Sequence, residues 1–139
     1  MYRIELIEKD NLSIILPLLE ALNEKLSTDV LHQRLEMMKE YNYHCAGVYD
    51  GNKLIGICGL WILVKHYVGK HIEPDNVIID QRYRNKGIGE LMMQWVTDYA
   101  KTIGCEALEL NCYVQNSSGL KFWMNKGYKV LGFHLQKKL

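Results

Sequence analysis

From Tyr2 to Ile7 the chain alternates, with Ile4 and Leu6 set against Arg3 and Glu5, which is the period of a half-buried strand. The spacing then changes to that of helices. Asp10 or Asn11 is placed to cap a helix with Leu12, Ile15, Leu16, Leu19 and Leu22 along one side, and Pro17 should kink it or delay its start. Thr28 or Asp29 caps a second helix, where Leu31, Leu35 and Met38 form one stripe. Two apolar runs, Cys45 to Tyr49 and Leu54 to Leu63, are joined by Asp50-Gly51-Asn52, a tight-hairpin signal. After the turn Val68-Gly69-Lys70, a strand is expected from near Ile72 to Ile79.

A longer amphipathic stretch begins near Gly87. Ile88, Leu91, Met92, Trp95, Val96, Tyr99 and Ile103 share its inner face, and Gly104 ends it. Ala107 to Tyr113 reads as a strand, Asn116 or Ser117 caps a helix reaching Lys126, and Gly127 terminates it. Tyr128 to Leu135 reads as a last strand, bent at Gly132. The order is β-α-α-β-β-β-α-β-α-β, read as one domain over residues 1–139. Hairpins in the first half and a β-α-β crossover in the second predict an α/β (α+β) fold. Its mixed, mostly antiparallel sheet should have about six or seven strands flanked by about four helices.

Composition narrows the partners. Of the 139 residues, 48% are hydrophobic and 24% charged, enough for a core without metals or disulfides. A net charge of +1 argues against nucleic acid or an anionic membrane as the main partner. Cys45, Cys58, Cys105 and Cys112 form no Cys-x-x-Cys pair and lie mostly in apolar runs. Charges between Arg3 and Asp10 interrupt any secretory leader, and no apolar run is long enough to span a bilayer. A cytoplasmic location with reduced thiols is expected.

Chemistry is concentrated in residues 79–92. Gly87 and Gly89 permit a tight turn and a close ligand approach, and the helix that starts there leaves amide groups unpaired at its positive end. Arg82, Arg84 and Lys86 add full charges, so the place suits a phosphate or pyrophosphate. A plain βα turn with solvated basic residues would show the same glycines. Two other nucleotide loops fail: a Walker loop needs Gly-Lys-Ser/Thr, and a Rossmann turn needs a third glycine where Met92 stands.

The flanks favour one family. Arg84-Asn85-Lys86-Gly87-Ile88-Gly89 follows the apolar run Val77-Ile78-Ile79, precedes Leu91 and fits Arg-x-x-Gly-x-Gly. It resembles the acetyl-coenzyme A motif of the GNAT superfamily of N-acetyltransferases, and the element order resembles that whole fold. The resemblance implies acetyl-CoA as cosubstrate, lying in a wedge between the strands at 72–79 and 107–113. It assigns the pyrophosphate to the turn formed by Arg84, Asn85, Lys86, Gly87, Ile88, Gly89 and Glu90. The acetyl carbonyl and pantetheine fall to the main chain of Val77, Ile78 and Ile79. Asn116 matches an asparagine that contacts the pantetheine arm, and it is equally an ordinary N-cap.

Transfer to an amine needs a base, because an alkylamine with a pKa of about 10 is protonated near neutrality. Glu73 holds the position at which several family members carry a general-base glutamate. Asp75 shares its face, with Val77 and Ile79 in phase if no bulge intervenes, although Pro74 disturbs the ladder. As plain strand-end acids they would be exposed, or Glu73 would pair with a lysine. For the leaving group, Asn116, Gly127 and Tyr128 keep the family spacing, but Trp123 stands where a tyrosine is usual. An indole N–H is no useful proton source, so Trp123 is assigned to packing on the cofactor or to a pocket wall. Tyr113, Tyr128 or water takes the acid role, or the thiolate leaves unaided. His66 and His71 are expected on an exposed hairpin, with acceptor contact as the second reading, and no His/Cys spacing supplies a third ligand, so no metal is expected.

The second half loosely resembles the small-amine branch, which includes aminoalkylphosphonate and aminoglycoside N-acetyltransferases. Glu24, Asp29, Glu73 and Asp75 favour a cationic acceptor. The leading function is acetyl transfer to a small primary amine by direct attack in a ternary complex. The alternatives are a non-catalytic acyl-CoA-binding sensor module and a phosphate-binding domain of unrelated fold. The resemblance also allows a homodimer.

Overall fold

The computed structural model describes residues 1–139. Strand β1 (Tyr2–Leu6) leads into a 3-10 stretch, Lys9–Ile15, and then helix α1 (Leu16–Leu22). Pro17 explains the order, because it sits in the first turn of α1, where its missing N–H costs nothing. Helix α2 (Thr28–Glu40) is capped by Ser27, whose Oγ accepts from the Val30 amide at 3.2 Å, one residue before the predicted cap. Strands β2 (Tyr43–Asp50), β3 (Lys53–Lys65) and β4 (Gly69–Ile79) form an antiparallel meander after β1. Helix α3 (Ile88–Thr102) crosses over to the short β5 (Ala107–Leu108), which runs parallel to β4, and α4 (Ser117–Asn125) follows.

The sheet order is β1-β2-β3-β4-β5. Alternating side chains give it two apolar faces. Ala46, Val48, Cys58, Leu60 and Ile72 pack against Met92, Val96 and Ala100 of α3. On the other face Tyr43, Cys45, Ile57 and Ile78 meet Leu12, Ile15, Leu19 and Leu35. None of the helices is long and apolar enough to cross a membrane.

Three expectations change. The sheet has five strands, not six or seven. The predicted strand at 107–113 pairs for two residues only, because β5 diverges from β4 after the bond from the Glu109 amide to the Ile72 carbonyl. The predicted last strand, 128–135, is absent. Alternation supplies a face but no ladder partner, and the segment leaves α4 through Gly127, in the left-handed region at φ 91°. Val130, Leu131, Phe133 and Leu135 are exposed there.

Candidate functional site

β4 carries one extra residue. Ile57 pairs with Ile78 and Gly59 with Asp75, so Cys58 alone faces both Asn76 and Val77. Asn76 adopts φ 52°, a left-handed conformation that asparagine tolerates, and its Oδ1 accepts from the buried Tyr43 hydroxyl at 3.2 Å. Such a bulge reverses the side-chain alternation. Val77 and Ile79 pack with the α3 face, whereas Ile78 joins the α1/α2 face. Glu73 and Asp75 are therefore out of phase with Val77 and Ile79, which corrects the alignment expected of an unbroken strand. The signal was present: Pro74-Asp75-Asn76 is turn chemistry inside an apolar strand.

Asp75 is exposed, and its Oδ2 accepts from the Trp61 indole at 2.9 Å. Glu73 is more enclosed, with its side chain 22% exposed. Its Oε1 accepts from Lys65 Nζ at 2.9 Å and lies 3.3 Å from His71 Nε2. Burial alone would raise the Glu73 carboxyl, but the bonds from Lys65 and His71 outweigh it and hold the group below the ordinary carboxylate range. The lysine partner foreseen for an ordinary strand-end acid is real. The exposed position foreseen for His71 is not: it is fully buried, where β4 pairs with β5. Glu109, just past β5, places Oε1 3.7 Å from His71 Nε2 and accepts from the Tyr67 hydroxyl at 2.5 Å. Sequence reasoning missed Glu109 because only the parallel crossover brings it to β4.

Beyond Ile72 and Leu108 the two parallel strands separate, opening a wedge between the rest of β4 and the segment that follows β5. At the far end of β4 lies the glycine turn. Asn85 (φ 62°) and Gly87 (φ 74°) are both left-handed, and α3 begins with no capping side chain. Leu91 N makes the first helical bond, to Gly87 O at 3.2 Å, so the Ile88, Gly89 and Glu90 amides have no intrahelical partner. A Cβ on Gly89 would meet only Phe122, at 3.9 Å, so this corner is open to a ligand. The residues present fit a diphosphate.

The other candidates divide between local structure and that corner. Arg82 is held by Asp80 at 2.8 Å, so its charge is locally neutralised. Arg84 Nε donates to the Ile79 carbonyl at 3.1 Å, closing the end of β4, and Lys86 Nζ sits 5.2 Å over the Tyr83 ring. Ile88 is buried in the core, and Glu90 pairs with Lys126 at 2.7 Å. These contacts leave the unpaired amides of Ile88, Gly89 and Glu90 as the part of the turn free to meet an anion.

Asn116 caps α4, its Oδ1 accepting from the Gly119 amide at 3.0 Å. Trp123 packs against the α3-side core, edge-on to Phe122 at 4.9 Å and to Tyr128 at 5.3 Å. The Tyr128 hydroxyl is buried with no hydrogen-bond partner. Burial, with the neighbouring Cys58 thiol adding to it, pushes that phenol up to about 12.

The chain is similar to known proteins over most of its length. The model of the acetyltransferase (GNAT) family matches residues 12–128. The uncharacterized N-acetyltransferase YhdJ of Bacillus subtilis (strain 168) is 22% identical over 136 residues, covering 97% of this chain and 93% of that protein. Among solved structures, an aminoglycoside acetyltransferase, meta-AAC0020, from an uncultured soil metagenomic sample superposes with a TM-score of 0.83 at 17% identity, covering 99% of this chain and 96% of that one. The ribosomal-protein-alanine N-acetyltransferase of Brucella melitensis biovar Abortus 2308 gives the same TM-score of 0.83 at 17% identity, covering 100% and 99%. Two proteins named for such different acceptors share this fold equally well.

Proposed function

Because the chain belongs to the acetyltransferase (GNAT) family, whose members use acetyl-CoA as cosubstrate, we propose that it acetylates the primary amine of a small cationic molecule by direct attack in a ternary complex. One observation carries the acceptor class: the bulge turns Glu73 and Asp75 together onto the face away from α3, beside the diverging strands. Two carboxylates there receive a cationic amine. Glu73, already ionised at neutral pH, takes the proton as nitrogen attacks the acetyl carbonyl carbon. A carbon–nitrogen bond forms, the carbon–sulfur bond breaks and the thiol leaves.

Val77, Ile78 and Ile79 supply main-chain groups along the wedge, and Asn85 to Glu90 hold the diphosphate with their amides. With Trp123 in the tyrosine position, Tyr128 is the protonated phenol closest to the role of donor for the departing sulfur. Asn116 serves as a cap first, and any pantetheine contact is secondary to that. Four unpaired cysteines suit a reducing cytoplasm.

Thiol release from acetyl-CoA across a panel of amines tests the reading. Amine-dependent release, largest with small polycationic acceptors, is expected. Binding without release for any amine would make the protein a non-catalytic sensor. Glu73→Gln should lower turnover most at neutral pH and spare acetyl-CoA binding. A parent-like pH–rate profile in that variant would remove Glu73 as base.

A further inference from the structure

His71 is the one polar or charged residue whose side chain is wholly buried. Its Nδ1 faces the Gly69 carbonyl at 3.1 Å. A carbonyl only accepts, so Nδ1 faces it as a donor. The other nitrogen, Nε2, faces Glu73 Oε1 at 3.3 Å and Glu109 Oε1 at 3.7 Å. Carboxylate oxygens likewise only accept, so Nε2 meets Glu73 and Glu109 as a donor.

The remaining oxygens are the informative ones. Glu73 Oε1 is also occupied by Lys65 Nζ, and Glu109 Oε1 by the Tyr67 hydroxyl. Neither Oε2 makes a hydrogen bond within the chain. The three ligand-type atoms lie within 4.8 Å of one another, close enough to suggest a divalent cation. However, the oxygens nearest Nε2 are already taken by Lys65 and Tyr67, so an N–H donor facing the two carboxylates fits better than a metal.

We propose that His71 is a positioning residue for the acceptor: it ties Glu73 and Glu109 into one carboxylate pair and leaves Glu73 Oε2 as the free acceptor for the amine. This rests on Glu73 being the base. The charged and titratable groups around His71 are Glu73 on its own strand, Lys65 and Tyr67 from the β3–β4 hairpin, and Glu109 beyond β5. Glu106 lies beside Gly69.

Steady-state kinetics across pH, with small primary amines as acceptors, test the proposal. His71→Phe should raise the KM for amine and lower kcat/KM at least about tenfold, the scale of one lost hydrogen bond to a charged group. The KM for acetyl-CoA should hold. The acid limb should move to higher pH, because a bond that holds the Glu73 carboxyl down is gone. His71→Gln, which can still donate to Glu73, should recover part of the loss. Should His71→Phe not fold, Glu109→Gln provides the second reading, with a severalfold rise in amine KM alone.

A parent-like profile and amine KM in these variants, while Glu73→Gln removes the acid limb, would overturn the role of His71 and leave the base intact. A parent-like Glu73→Gln would instead sink the base reading itself. Stoichiometric zinc uptake by the parent, lost in His71→Phe, would also overturn the proposal.

Discussion

Replacing Gly59 with alanine tests the geometry on which the proposed acceptor side depends. A Cβ there would stand 2.5 Å from the Tyr43 hydroxyl, 2.7 Å from Tyr43 Cε2 and 2.7 Å from the Asp75 carbonyl oxygen. Ordinary contact is nearly an ångström longer, and none of these atoms can give way cheaply. The Tyr43 ring is fully buried, packs on Trp61 with centroids 4.7 Å apart and bonds to Asn76, while the carbonyl is part of the bulge. β3 and β4 must therefore part. Overpacking of this kind costs about 1–3 kcal/mol, and losing the Tyr43–Asn76 bond adds about 1 kcal/mol. The stiffer unfolded chain returns about 0.5 kcal/mol. A net loss of about 1.5–3.5 kcal/mol lowers Tm by roughly 5–12 °C for a chain of this size. Thermal unfolding followed by circular dichroism reads it directly, with Gly132→Ala as control, since a Cβ there meets nothing within 4 Å. Turnover should fall further than the folded fraction explains. A Tm within about 2 °C of the parent, with normal turnover, would refute the tight approach of Tyr43, Gly59 and the bulge.

Other outcomes follow from the same geometry. Gly89→Glu should weaken coenzyme A binding, because it sets bulk and negative charge beside unpaired amides, and unchanged affinity by calorimetry would refute the diphosphate placement. Gly89→Ala should instead stabilise α3 by about 0.5–1 kcal/mol while still reducing that affinity. Tyr128→Phe removes a buried hydroxyl that has no partner, so stability should hold or rise while kcat falls; unchanged kcat would exclude the phenol from thiol departure. Of the four thiols, a neutral disulfide reagent should modify no more than two in the native protein. Cys45 and Cys58 are buried, with burial pushing Cys45 up to about 12 and Cys58 higher still, and rapid reaction of three or four would contradict that core.

Periodicity and punctuation made most of the fold legible. Pro17 marked the delayed start of α1, Asp50-Gly51-Asn52 the hairpin, and Gly104 the end of α3, because each acts within a few residues of itself. The two edges of the sheet were not legible. β5 stops at Leu108 and residues 128–135 join no ladder, since alternation reports a face and is silent on whether a neighbour lies within hydrogen-bonding reach. The site divides in the same way. The turn from Arg84 to Glu90 is a contiguous motif, so its left-handed bend and uncapped helix start could be read directly, although Arg82 proved to belong to Asp80. Glu73 could be placed by its offset, but the company it keeps could not. Lys65, His71 and Glu109 come from a hairpin end, the strand itself and a crossover, and only tertiary structure brings them together.

The extra residue opposite Cys58 also limits how this chain can change. Removing Asn76, or adding one residue between Glu73 and Val77, would exchange inside and outside for everything on one side of the edit. Carboxylates would be driven beneath α3, or Val77 and Ile79 would be expelled from it. Acceptor preference on this scaffold can therefore drift by substitution at fixed length, while single-codon insertions and deletions in this segment should be almost uniformly lethal to both halves of the reaction.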